Sequence, residues 1–98
     1  MDQKYQIASF YLFLKLSEEQ LESLRREAFE LAAVHEVRGL IVCGSEGING
    51  TISGLAEGLE KFLELFAASL EISHLERKIS WSNKHPFARF KIDVRAEI

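Results

Sequence analysis

The chain has 98 residues, 47% of them apolar and 28% charged, with a net charge of −3. That is ordinary for one domain burying roughly 60–65% of its unfolded surface. It argues against a disordered chain, and no apolar run approaches the ~20 residues of a membrane span. Cys43 is the only cysteine, so no internal disulfide can form, and "MDQKYQ" lacks the build of a signal peptide; both predict a reducing, cytoplasmic setting without membrane contact.

In chain order, "YQIASFYLFLK" (5–15) is aromatic and β-rich and predicts a strand. One face would show Ala8, Phe10, Leu12 and Leu14, the other Ile7, Ser9, Tyr11 and Phe13. Ser17 then opens a helix through the capping box "SEEQ", with Gln20 at its third position. Leu21, Leu24, Ala28 and Leu31 give it one apolar stripe, and it should run to about His35. "VRGLIVCG" (37–44) reads as a short buried strand and "GTIS" (50–53) as another, joined by a glycine-rich loop. A second helix carries Leu55, Leu59, Phe62, Leu63, Phe66 and Leu70; Gly58 inside it costs about 1 kcal/mol relative to alanine. "LERKISW" (75–81) predicts a strand. After a turn at "SNKHP", "FARFKIDVRAEI" alternates Ala88, Phe90, Ile92 and Val94 with Arg89, Lys91, Asp93 and Arg95, the clearest half-buried strand in the chain.

The order β-α-β-β-α-β-β contains the split βαβ of an α+β, ferredoxin-like (acylphosphatase-like) sandwich. It implies an antiparallel sheet with two helices on one face and one extra strand, in a single domain spanning 1–98. The other face would be open, carrying Tyr11, Phe13, Thr51, Ser53, Arg89, Lys91 and Arg95. Either of the last two strands could pair with the first. Charge is uneven: residues 1–76 hold six Lys/Arg against thirteen Asp/Glu, net −7, whereas 77–95 hold six Lys/Arg against Asp93 alone, net +5. A solvated basic surface explains this; an anion-facing strand pair is the sharper reading.

"GSEGINGTISG" (44–54) holds four of the six glycines. A phosphate cradle needs glycines ahead of a helix and no repelling carboxylate; this segment runs strand to strand and carries Glu46. Asn49-Gly50 reads as a hairpin turn, since both residues tolerate positive φ. The segment is then a device that aims Glu46 and Asn49. The sequon Asn49-Gly50-Thr51 reads as accidental without a signal peptide.

"EGINGTISG" together with "HPFARFKIDVRAEI" resembles the N-terminal domain of the rhodanese-like tRNA uridine hydroxylases over nearly the whole chain. The resemblance implies an enzyme that converts the wobble uridine of certain tRNAs to 5-hydroxyuridine with dioxygen. It also implies a catalytic cysteine in a rhodanese-like domain later in the same chain. The sequence ends at "VRAEI", where that family continues, so this domain itself is expected to be non-catalytic and without a cofactor. The family positions that carry over are Glu46, Gly47, Ile48, Asn49, Gly50 and Thr51, then His85, Pro86, Phe87, Arg89, Lys91, Arg95 and Glu97. Cys43 departs from the small residue usual near there and is not the family's thiol.

His35, His74 and His85 are scattered, with no metal-ligand spacing. Trp81 reads as a core or interface anchor. Acylphosphatases share the element order, but they need a glycine-rich loop ending in arginine after the first strand; here that place reads "FLKLSEEQ". Two readings of the open face follow. It binds tRNA through Tyr11, Phe13, His85, Arg89, Lys91 and Arg95, or it docks on the rhodanese-like domain or a second copy, with Tyr11, Phe13 and Trp81 as anchors.

Overall fold

A computed structural model describes residues 4–95. The elements are β1 (Tyr5–Phe13), α1 (Glu18–His35), β2 (Arg38–Gly44), β3 (Gly47–Leu55), α2 (Ala56–Ser69), β4 (Lys78–Ser82) and β5 (Phe90–Arg95). They form one sheet in the order β4-β1-β3-β2-β5. The first four strands are antiparallel, as the pattern predicts; β5 is the extra strand and joins β2 in parallel, so the sheet is mixed at that edge. The open question of pairing is settled in favour of β4, which lies beside β1.

α1 starts where the capping box predicts. Ser17 Oγ accepts from the Gln20 amide at 3.1 Å, and the Ser17 amide donates to Gln20 Oε1 at 2.8 Å. Its buried stripe is Leu21, Leu24, Ala28 and Ala32, with Leu31 only half buried. α2 buries Leu59, Phe62, Leu63, Phe66 and Ala67. Both helices lie on one side of the sheet, against Ala8, Phe10, Ile41, Cys43, Ile48, Ile52 and Ile92. The Phe62 and Phe66 rings stack at 5.5 Å in that layer.

The expected motif loop is corrected. Glu46 is in a turn, but Gly47, Asn49, Gly50 and Thr51 belong to β3, which starts three residues before the predicted "GTIS". The turn is only Ser45 and Glu46, between paired Gly44 and Gly47. Neither Asn49 nor Gly50 has positive φ. Gly50 is small because space is short: a Cβ there would lie 2.9 Å from Phe10 Cζ and 3.0 Å from the Leu40 carbonyl oxygen. β3 is flanked by β1 and β2 along this stretch, and the ladder overrides the Asn-Gly turn signal. β4 and β5 are also shorter than predicted, with Ala88 and Arg89 ahead of β5. Glu97 lies outside the described residues.

Candidate nucleic-acid interface

The helices leave the second face of the sheet uncovered, and cross-strand partners share a face. The register therefore sets this face out in rows. One row runs across all five strands as Lys78, Ser9, Thr51, Leu40 and Lys91. The next carries Tyr11, Asn49, Val42 and Asp93, and the last Phe13, Gly47, Gly44 and Arg95. Two large rings thus stand on β1, beyond the end of its pairing with β4, with cations on both edge strands. Tyr11 is 65% and Phe13 78% exposed, and their rings meet edge to face at 4.9 Å. Ser9 and Thr51 are tied to each other at 3.3 Å.

The other end of this face is closed by the connection from β4 to β5, which must travel from one edge of the sheet to the other. His85 Nδ1 and Ser53 Oγ share a hydrogen bond of 2.9 Å, and the His85 ring lies 4.7 Å from that of Tyr5. Arg38 Nη1 donates to the Phe87 carbonyl at 3.4 Å, and the Gly39 amide to the Arg89 carbonyl at 2.9 Å. Ser53 is fully buried under this strap. Burial and, after it, the Arg38 charge hold the His85 pKa below the ordinary histidine value, against an opposing pull from Glu36. Gly39, at φ +131°, admits no side chain: a Cβ would lie 2.3 Å from the Thr51 carbonyl oxygen.

At the free end, Tyr11, Phe13, Glu46, Asn49 and Arg95 surround a recess of about 160 Å³. The segment after β1 fixes its rim: the Leu14 amide donates to the Glu46 carbonyl at 3.1 Å and the Leu16 amide to the Ser45 carbonyl at 3.0 Å. Those amides occupy the place after the first strand where a phosphoryl cradle would sit, and they are already committed. Beneath the recess Cys43 is fully buried, and burial pushes its thiol pKa up to about 11. A protonated, inaccessible thiol is a core side chain, not a nucleophile.

The structure brings Tyr11, Phe13 and Arg95 around one recess, and Lys91 lies on the same face but on the β5 edge, with β3 and β2 between it and β1. His85 stands at the strapped end, and Arg89 is exposed just ahead of β5. Asp93 lies between Lys91 and Arg95 and offsets part of their charge. Trp81 cannot join the two rings as an anchor: it pairs with Gln6, on the helix side of the sheet. Lys78 and Arg38 were missed. Alternation of Lys78, Ser80 and Ser82 in "KISWS" was the available signal for the first; for Arg38 there was none. Among the described residues no three His, Cys, Asp or Glu side chains gather as a metal site, and no helix is long and apolar enough to cross a membrane.

Two helices on one face of a β4-β1-β3-β2-β5 sheet define an acylphosphatase-like, ferredoxin-type α+β fold. Solved structures share it at low identity. A BLUF protein, BlrB, superposes with a TM-score of 0.78 at 11% identity over 95% of this chain and 74% of its own. An acylphosphatase from Bacillus subtilis does so at 0.56 and 15%, over 93% and 98%. The chain belongs to the UPF0176 acylphosphatase-like domain family, whose pattern matches residues 5–98. Among curated relatives it is 37% identical to a tRNA uridine(34) hydroxylase of Prochlorococcus marinus (strain NATL2A), over 97% of this chain and 30% of the relative. A tRNA uridine(34) hydroxylase of Synechococcus sp. (strain CC9902) is 39% identical over 97% and 33%. The chain thus spans about a third of the length of the curated relatives it matches.

Proposed function

We propose that this is the N-terminal accessory domain of a cytoplasmic tRNA-modifying enzyme that forms 5-hydroxyuridine at the wobble position. It contributes to holding the tRNA and carries no catalytic group. The chemistry belongs to a rhodanese-like domain later in the same chain. The observation that carries the reading is the uncovered sheet face, with Tyr11 and Phe13 on β1 and Lys78, Lys91 and Arg95 on its two edge strands. Sheets of this class bind single-stranded RNA by stacking bases on such rings while Lys and Arg meet phosphates. The test is titration of the domain with total tRNA at several salt concentrations, beside an Arg89→Ala/Lys91→Ala/Arg95→Ala variant. Removing each phosphate-binding cation should reduce the log–log salt slope by about 0.7–0.9. Equal affinities and equal slopes would contradict the reading.

One observation favours a second reading. Leu40, at 40% exposure, shares the open face with the two rings. An apolar surface of that kind also suits docking against the rest of the chain. The same titration separates the two, because docking predicts no response to the triple substitution.

A further inference from the structure

We propose that β5 is a dimerisation edge: two copies of this chain join their β5 strands antiparallel, about a two-fold axis at Ile92, into one continuous sheet. β5 is an outer strand, with β2 as its neighbour. Its parallel ladder with β2 fixes which backbone groups are used. The Gly39 amide donates to the Arg89 carbonyl, and alternate residues of an extended strand turn their N–H and C=O groups to opposite sides. Arg89, Lys91, Asp93 and Arg95 thus face β2, while Phe90, Ile92 and Val94 turn theirs outward. Such a row is a template for another strand unless proline, a bulge or repelling charges blunt it. "FKIDVR" has no proline, and its charges alternate in sign as Lys91, Asp93 and Arg95.

The side chains name the partner. Directly opposite residues of an antiparallel pair share a face, so a two-fold that keeps all helices on one side sets one residue opposite its own copy. With Ile92 in that place, Lys91 stands opposite the partner's Asp93 on the open face, and Asp93 opposite the partner's Lys91. On the helix side Phe90 meets the partner's Val94. Opposite charges and aromatic–β-branched pairs are the favourable cross-strand pairs. The backbone agrees: Phe90, Ile92 and Val94 supply the hydrogen-bonded pairs, and Lys91 and Asp93 fall in the pairs between them, where side chains come closest. Placing the axis at Lys91 or Asp93 sets like charges face to face, and placing it at Val94 engages only Asp93 to Arg95 of the described strand. The one like-charge pair in the chosen register, Arg95 with the partner's Arg89, falls at the strand ends, where both side chains are exposed. Room exists beside the edge. A groove of about 560 Å³ lies between α1 and β5, and in it the exposed Phe29 ring stands 6.3 Å from that of Phe90. The partner's Val94, opposite Phe90, enters there.

The test is sedimentation equilibrium of the 98-residue chain and two charge variants at low salt and high protein concentration. The wild type should reach twice the monomer mass of 11.2 kDa. Lys91→Asp and Asp93→Lys each turn two attractive cross-strand pairs into repulsive ones, so each should weaken association about tenfold or more. An equimolar mixture of the two single variants should associate as the wild type does, because every charge then meets its opposite. The double variant Lys91→Asp/Asp93→Lys should self-associate for the same reason. Recovery in the mixture also shows that each variant is folded, which thermal melts check separately. A monomeric wild type would mean that the β5 edge serves another occupant, such as a strand of a different chain, and overturns the proposal. Single variants that dimerise like the wild type would place the contact elsewhere and overturn it too, as would a mixture that stays monomeric. The outcome does not depend on the RNA-facing reading, since the open face stays uncovered in this dimer.

Discussion

Gly50 sits in β3 with the end of the Phe10 ring, Ile41 Cγ1 and the Leu40 carbonyl oxygen all about 3 Å from where its Cβ would be. Gly50→Val must push at least one of them away, and one is backbone. Overpacking of this kind costs about 1–3 kcal/mol, so the urea midpoint should fall without a change in slope; an unchanged midpoint would show that the site has room. Sequence marked this glycine correctly as constrained but for the wrong reason. Asn-Gly reports tolerance of positive φ, whereas the need here comes from three side and main chains distant in sequence. His85 carries a second prediction at this scale. Its folded pKa is depressed, so the unfolded chain takes up a proton first as pH falls, and stability is lost below the ordinary histidine value near 6.5. Between about pH 7 and pH 5 the melting temperature of the wild type should drop more than that of His85→Gln. Parallel pH profiles would contradict the pinning role.

Gly58 lies in the first turn of α2, where intrinsic propensity says that alanine should add about 1 kcal/mol of stability. The structure predicts the opposite. A Cβ at Gly58 would lie 2.7 Å from the His35 carbonyl oxygen at the end of α1, so the helices approach through this glycine. Gly58→Ala should lower the melting temperature; a rise would mean that the neighbouring backbone yields freely. The helices themselves were legible from the capping box at Ser17 and the stripes of Leu, Phe and Ala. So was β5, whose alternation of Phe90, Ile92 and Val94 against Lys91, Asp93 and Arg95 survives in the fold. Which strand pairs with β1 was not legible, because two strands follow α2 and either could take that place. Topology decides it: β3, α2 and β4 form a βαβ crossover around β1. The remaining chain must then cross the open face, and the His85–Ser53 bond that pins it joins residues 32 positions apart.

At the scale of the whole molecule, one face of the sheet is a helix-covered core, and the other is strapped at one end and open at the end that carries Tyr11, Phe13 and Arg95. Cys43 is sealed in the core and His85 is engaged with Ser53, as the proposed accessory role requires. Incubating the domain with tRNA under air should therefore give no 5-hydroxyuridine on mass analysis of the nucleosides; reproducible product would overturn the accessory role. The family was legible in sequence from two separated motifs, while the site was legible only in part, because the recess joins Glu46 and Asn49 to Phe13 and Arg95 from opposite ends of the chain. The central claim is that the uncovered face meets RNA, and amide chemical-shift mapping of the labelled domain with added tRNA tests it most directly. Shifts should concentrate on Tyr11, Phe13, Asn49, Thr51, Lys91 and Arg95 and spare the outer faces of α1 and α2. Shifts confined to the helices, or none at saturating tRNA, would contradict it.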